Sequence, residues 1–329
     1  MLKPILAIAL SAAFFSSAHA ARFPTPKLEL GPAVLNTDLP SASGLAAKGR
    51  FLYAVGDDSP WLFQLDQQFN ITDKQLIKEY PLDTNGRIPK SLKPDYEAMT
   101  QVRIGKHYWR IVLGSGSKST VREWGYLLSD DRQTKLERDL KPLYAQLYAA
   151  SGFSSDETLN IEGLATAGGH AYLFNRGNSG SNLIFRLDQA EFIAYMQGTL
   201  PQISKLETFK VSLPRISNFE AGLSGGEFWP QANSLVYTAS VEATGDAYND
   251  GAILGSFVGL IPLTALKAGQ TLDLAPTSVL LTRHGRALVT KLESLAITAS
   301  DDDEIKGVLV SDNDNGTSEF FRFELELND

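Results

Sequence analysis

The sequence predicts an all-β fold, a β-propeller of five blades, on three observations. A short phrase recurs, a glutamate followed by small and apolar residues: Tyr96-Glu97-Ala98-Met99, Ile161-Glu162-Gly163-Leu164, Phe219-Glu220-Ala221-Gly222-Leu223 and Leu292-Glu293-Ser294-Leu295, with a degenerate copy, Ala42-Ser43-Gly44-Leu45, carrying serine instead. Each phrase opens a unit of about 55 to 73 residues, and self-similarity at a long period marks a repeat architecture. Each unit also holds three or four short β-branched or aromatic runs bounded by Gly, Asn, Asp and Ser, the signature of strands and turns. Repeated groups of such strands describe propeller blades. A β-sandwich would leave the phrase at the head of each unit unexplained. A sixth, diverged blade is the alternative count.

In chain order, residues 1–20 read as an export signal: Lys3 gives a positive start, residues 5–15 an apolar core, and Ala18-His19-Ala20 a small-x-small cleavage site. Residues 27–35 form one strand without a unit of its own, expected to complete the last blade and close the ring, since closure removes exposed edges. Unit one runs through Phe51-Leu52-Tyr53-Ala54-Val55, a Gly56-Asp57-Asp58-Ser59-Pro60 turn and residues 61–66. Unit two has residues 109–113, a Gly114-Ser115-Gly116-Ser117 turn and residues 124–128. Unit three has residues 171–174, the turn Asn175-Arg176-Gly177-Asn178 and residues 183–188. Unit four has residues 235–238 and Val241-Glu242-Ala243, and unit five residues 307–310, the turn Ser311-Asp312-Asn313-Asp314 and residues 320–325. Two helical insertions are expected. Leu136, Leu140, Leu143 and Leu147 fall at helical spacing within residues 132–150, and Asp188 caps a short helix through residues 191–196. With no low-complexity linker, residues 21–329 read as one domain.

The bulk numbers exclude several classes. There is no cysteine, hence no disulfide framework, lipoprotein anchor or thiolate chemistry. No stretch is long and apolar enough for a helix to span a bilayer. The formal charge of −8 argues against nucleic acid or an anionic membrane as partner. The expected product is a periplasmic or secreted monomer with a small-molecule or envelope ligand.

If the phrase begins the innermost strand of each blade, Glu97, Glu162, Glu220 and Glu293 crowd the channel mouth, with Ser43 as the neutral member. Carboxylates held together repel unless protonated or neutralised. A hard cation neutralises them most simply, and Ca²⁺ takes six to eight oxygens from such a set. The bland alternative has each glutamate capping backbone N–H groups of a neighbouring blade. A second polar column follows the next strand: Asp57 and Asp58, Ser115 and Ser117, Arg176 and Asn178, Glu242, and Asp312 and Asn313. Asp57 and Asp312 would add metal ligands, and Asn178 a substrate contact; ordinary turn chemistry is the competing reading. A basic loop, Arg87-Ile88-Pro89-Lys90-Ser91-Leu92-Lys93-Pro94, leads into Glu97. Arg87, Lys90 and Lys93, with Arg176 and Lys118, would hold an anionic group such as phosphate, or simply balance the acids.

Other motifs are discounted. Gly222-Leu223-Ser224-Gly225-Gly226 matches the nucleophile-elbow pattern, but Glu227-Phe228-Trp229-Pro230 does not start the helix that pattern needs. Gly114-Ser115-Gly116-Ser117-Lys118-Ser119 lacks the glycine before the lysine of a phosphate-binding loop. Asp301-Asp302-Asp303-Glu304 reads as a solvated hairpin tip. His107, His170 and His284 show no zinc-ligand spacing.

The strings Lys93-Pro94-Asp95-Tyr96-Glu97-Ala98-Met99-Thr100, Leu113-Gly114-Ser115-Gly116-Ser117, Asn160-Ile161-Glu162-Gly163-Leu164-Ala165, Arg176-Gly177-Asn178 and Asp250-Gly251-Ala252-Ile253-Leu254-Gly255-Ser256 resemble an uncharacterised family of bacterial exported proteins over nearly the whole mature chain. More distantly, the E-G-L phrases resemble the phytase-like propeller domain called "esterase-like activity of phytase". That resemblance implies a propeller and phosphoester hydrolysis but transfers no catalytic residue, and Ser43 departs from the acidic pattern. Two functions follow. One is a Ca²⁺-dependent phosphoester or ester hydrolase, with Glu97, Glu162, Glu220 and Glu293 on the metal, Glu97 or Glu162 as general base, and Arg87, Lys90, Lys93 and Arg176 on the anion. The other is a non-enzymatic binding propeller for a sugar, peptide or envelope protein, with a structural metal or none. The sequence leaves open which of the two holds.

Overall fold

The computed structural model describes residues 26–244 and 251–327. The proposed export signal, residues 1–20, lies outside them. Five four-stranded antiparallel units make up the ring, as the repeats predict. Blade 1 runs Ala42–Lys48, Phe51–Gly56, Trp61–Leu65 and Ile71–Leu76; blade 2, Tyr96–Ile104, His107–Gly114, Trp124–Ser129 and Lys135–Asp139. Blade 3 runs Ile161–Ala167, His170–Asn175, Leu183–Asp188 and Leu206–Ser212, with Thr271–Asp273 added in parallel at its edge. Blade 4 runs Gly222–Trp229, Ser234–Glu242, Ile253–Pro262 and Ser278–Leu280. Blade 5 takes Lys291–Ser300, Glu304–Asp312 and Ser318–Glu326 from the end of the chain, and its outer strand, Lys27–Asn36, from the beginning. That last pairing is the expected closure. Ser318 reinforces it: its Oγ donates to Leu39 O and accepts from Ala42 N, stitching blade 5 to blade 1.

The middle strands read as nearly continuous apolar runs because both faces of each blade are covered. In Phe51–Gly56, Ala54 packs toward blade 5 with Val308 and Phe320, while Tyr53 and Val55 pack toward blade 2 with Tyr96 and Val112. In Glu304–Asp312, Leu309 faces blade 4 and Val308 and Val310 face blade 1. Alternate side chains point to opposite faces of a strand, so the core is a set of apolar layers, one between each pair of neighbouring blades.

The helix expected over residues 132–150 is shorter. Lys135–Asp139 is the outer strand of blade 2, paired with Trp124–Ser129, because an unfilled ladder there claims its alternating pattern. The helix occupies Lys141–Ser151, carries Pro142 in its first turn and ends on Gly152 in the left-handed conformation (φ 73°). Its Leu143, Tyr144 and Leu147 are buried against blades 2 and 3. The second helix, Gln189–Met196, is capped by Asp188, which accepts from the Ala190 and Glu191 N–H groups. Among the described residues no helix is long and apolar enough to cross a membrane.

Candidate functional site

Every innermost strand carries a register break near its start, in blades 1, 2, 3 and 5 at the recurring phrase, and the break builds the site. Tyr96 pairs with Gly114 and Ala98 with Leu113, leaving Glu97 outside the ladder. The same break sets aside Glu162 in blade 3, Glu293 in blade 5 and Ser43 in blade 1. A β-bulge of this kind re-aims a side chain; here it turns the extra residue toward the axis. The next residue must be small because neighbouring inner strands nearly touch: a Cβ on Gly163 would lie 2.2 Å from Ser224 O, and one on Gly44 2.8 Å from Met99 Cβ.

Blade 4 corrects the sequence reading. Its break lies between Leu223 and Gly226, so the equivalent phrase is Leu223-Ser224-Gly225-Gly226, the string discounted as a nucleophile elbow. Glu220 lies in a separate two-residue strand, Phe219–Glu220, paired with Arg215–Ile216. It binds Arg215 at 3.2 Å, accepts the Leu213 N–H at 3.0 Å and is about a third exposed. It takes no part in the axial cluster. Ser224 is fully buried and donates to Leu292 O at 2.9 Å, tying blade 4 to blade 5. The bulge residues around the ring are therefore Ser, Glu, Glu, Ser, Glu.

Because the second strand of each blade runs antiparallel to the first, its end returns to the same mouth. The two predicted columns therefore meet around a cavity of about 310 Å³. Glu97, Glu162, Glu293, Asp57, Asp312, Arg87, Lys90, Lys93, Arg176 and Asn178 all line it, with Asp58 and Glu242; Glu220 does not. Residues to which the sequence reading gave no site role line it too: Asp95, Asn160 and Lys291, together with Ser41 and Arg122. Ser41, Asp95, Asn160 and Lys291 each stand two positions before a bulge residue. Period-two alternation puts such residues on one face, a signal that is present in the sequence.

Basic side chains supply most of the neutralisation assigned to a metal. Arg176, 3% exposed, reaches Glu242 at 2.6 Å, Glu162 at 3.2 Å and Glu293 at 3.6 Å. Lys291 reaches Asp314 at 3.1 Å, Glu293 at 3.3 Å and Glu242 at 3.8 Å. Lys93 bridges Asp57 and Asp95, and Arg122 meets Asp95 at 2.6 Å. Arg87 meets Asp58 at 2.5 Å. Of the two roles open to the basic loop, balance for the acids accounts for these contacts of Arg87 and Lys93.

The balance is incomplete. Among the described residues, ten carboxylates and six cationic side chains line the cavity. Burial pushes the Glu97 carboxyl well above the usual range, and Glu162, Asp95, Asp57 and Glu293 push it further. Burial likewise raises Glu293 strongly against the pull of Lys291 and Arg176, Asp312 to about 7 and Asp58 to about 6. Asp95 goes the other way: Lys93 and Arg122 overcome its burial and hold it low.

Glu97 differs from its neighbours. It is 8% exposed and faces the cavity, and among the described residues it has neither a hydrogen bond nor an ion pair. One oxygen each of Glu97, Glu162 and Glu293 lie within 4.8 Å of one another, as do oxygens of Asp57, Asp95 and Glu97. Two ligands about 2.4 Å from one Ca²⁺ stand at most about 4.8 Å apart, so either trio can share a cation. Asp95 is already saturated by Lys93, Arg122 and Ser115. Glu97 is unengaged and Glu293 Oε2 has no hydrogen bond, which makes the glutamate trio the better donor set.

The model of a family of unknown function, DUF6929, matches residues 38–325. No curated protein matches the sequence. Among solved structures, a glutaminyl cyclase from Myxococcus xanthus is similar at 10% identity and a TM-score of 0.47, with 93% of this chain and 99% of that one covered. An arabinanase from Bacillus subtilis is similar at 12% identity and 0.42, covering 89% and 96%. Virginiamycin B lyase from Staphylococcus aureus is similar at 8% identity and 0.40, covering 90% and 99%. At these scores the three structures say nothing about what this chain does.

Proposed function

This chain belongs to the DUF6929 family, a family of unknown function, and from that premise we propose that its axial cavity takes up a divalent cation of the Ca²⁺ type and, through it, a phosphoester or ester substrate that the protein hydrolyses. The observation that carries the reading is Glu97: a buried carboxyl with no hydrogen bond or ion pair among the described residues, beside Glu162 and Glu293, in a cavity with more acids than bases. A buried charge without partners is costly, and either a proton or a cation relieves it. Glu97, Glu162 and Glu293 would hold the ion. When bound, such an ion polarises a substrate oxygen and acidifies a water. Asn160, whose Nδ2 donates to Glu162 at 2.7 Å, fixes that carboxylate, leaving Glu97 the freest group to move a proton. Arg87, Lys90 and Lys93, on the blade 1 and 2 side of the cavity, would meet the anionic part of a substrate. The distant likeness to phytase-like propellers makes phosphoesters the first class to try. We further propose that the chain is exported and cut after Ala20, which the N-terminal sequence of the native protein would test.

Calorimetric titration of chelator-treated protein with Ca²⁺, alongside hydrolysis of p-nitrophenyl phosphate and p-nitrophenyl acetate, tests the reading. Saturable binding and Ca²⁺-dependent turnover, both lost in Glu97→Gln, are expected. Absence of divalent binding would sink it. A second reading has support of its own: most of the acids are already locked to Arg176, Lys291 and Lys93, as in a site built to bind rather than to react. Binding without turnover on either ester would select that non-enzymatic propeller.

A further inference from the structure

A second cavity of about 190 Å³ lies deeper along the same inner strands. Its lining follows the bulge residues by two to four positions: Leu45 after Ser43, Met99 and Gln101 after Glu97, Thr166 after Glu162, and Glu227 and Phe228 after Ser224. At about 3.3 Å per residue, that is some 7–13 Å farther down the channel. The chemistry differs from that of the upper mouth. Leu45, Met99 and Phe228 give apolar wall, and among the described residues Glu227 is the one ionisable group lining it. Glu227 Oε2 accepts the Ile297 N–H at 2.5 Å, and among the described residues no cation pairs with it. Burial raises this carboxyl to about 7. Gln101 Oε1, on the same cavity, is buried without a hydrogen-bond partner among the described residues. Gln101 Oε1 thus faces this space without a donor and the Glu227 carboxylate with a single backbone one, and buried polar atoms in native proteins are normally satisfied.

We propose that this end of the channel is a second binding site, for a small organic ammonium ion. Its N–H groups would donate to the Glu227 carboxylate and to Gln101 Oε1, and its short apolar body would lie against Leu45, Met99 and Phe228. A metal ion fits poorly, since one carboxylate and one amide fall far short of the six to eight oxygens Ca²⁺ takes. The space holds about six waters at ~30 Å³ each, which limits the ligand to a handful of heavy atoms. This inference does not depend on the reading of the upper mouth.

Titration of the protein with n-butylammonium, followed by calorimetry, tests the proposal, with n-butanol as the uncharged isostere. Saturable binding is expected, with butanol and Glu227→Gln each weaker by roughly tenfold or more, as for loss of a charge-assisted hydrogen bond. Gln keeps an acceptor for Ile297 N, and a thermal melt reports whether the variant folds. Gln101→Leu, which leaves that contact alone, is the second probe and is expected to weaken butylammonium several-fold. No saturable binding of methyl- to hexylammonium below about 10 mM would overturn the site and mark a water-filled channel. Loss of binding in Glu97→Gln with full retention in Glu227→Gln would also overturn it, by placing the ammonium ion in the upper cavity.

Discussion

Two sides of the axial cavity solve the same problem differently. Around Arg176, three carboxylates from blades 3, 4 and 5 converge on one guanidinium, with Lys291 as second cation. Glu97, an equally enclosed carboxyl, has no hydrogen bond or ion pair among the described residues. A ring that gathers one side chain from each blade concentrates like charge at its centre, and attached cations are its internal remedy. Where that remedy is missing, the excess must be met by protons or by something from solution. The acidic ring in itself is therefore largely balanced from within, and its member without a hydrogen bond or ion pair among the described residues is the one on which the proposed function rests.

Removing the remedy should have the largest effect. Arg176→Met strands Glu162, Glu242 and Glu293 in a buried site, and breaking such a cluster costs about 3–5 kcal/mol. A large drop in melting temperature is expected, partly recovered by millimolar Ca²⁺ as the ion takes over the guanidinium's task. A melt unchanged from wild type would show that the cluster needs no cation.

Glu97→Gln should do the opposite. It replaces a carboxyl whose charged form is disfavoured by burial and by Glu162, Asp95, Asp57 and Glu293, so stability should change by less than about 1 kcal/mol or rise slightly. Ca²⁺ affinity should fall by about tenfold or more in titration. A strong destabilisation with affinity intact would reverse the assignment of the two sides.

Proton linkage separates them further. Glu97, Glu293, Asp312 (about 7) and Asp58 (about 6) have carboxyls raised above their unfolded values. The folded state therefore holds more protons than the unfolded one, and stability falls as pH rises. The contribution is complete below the unfolded carboxyl range near 4 and lost as pH passes through the folded values. The melting temperature of metal-free protein should fall between about pH 5 and pH 8, and saturating Ca²⁺ should flatten that slope. A metal-free optimum above pH 8 would contradict the uncompensated site.

The smallest effect belongs to the glutamate outside the ring. Glu220→Gln disturbs a partly exposed pair with Arg215 and should shift stability by no more than about 0.5 kcal/mol, with Ca²⁺ affinity unchanged. A loss of affinity matching Glu97→Gln would restore Glu220 to the metal set.

Much of the site is legible in the sequence because a propeller places equivalent positions equivalently. The glutamates of blades 2, 3 and 5 and the polar turns after the second strands follow from the repeat alone. Asp95, Asn160 and Lys291 escape that reading although they stand two positions before a bulge residue. Arg122 escapes it because it arrives from a loop that follows no period. The outer strand Lys135–Asp139 reads as helix because four leucines satisfy helical spacing, a local pattern that the open ladder of Trp124–Ser129 overrides.

The strands, their grouping into five units, the closure by residues 27–35 and the small residue after each bulge are local or periodic properties, and the chain alone specifies them. Long-range packing settles which of two candidate phrases in blade 4 reaches the axis, because Glu220 pairs with Arg215 in a separate short ladder while the ladder with Ser234–Glu242 breaks at Ser224. It also settles which acids are balanced. Whether a carboxylate meets an arginine depends on distances across the ring between residues far apart in the chain, and no local pattern records those distances.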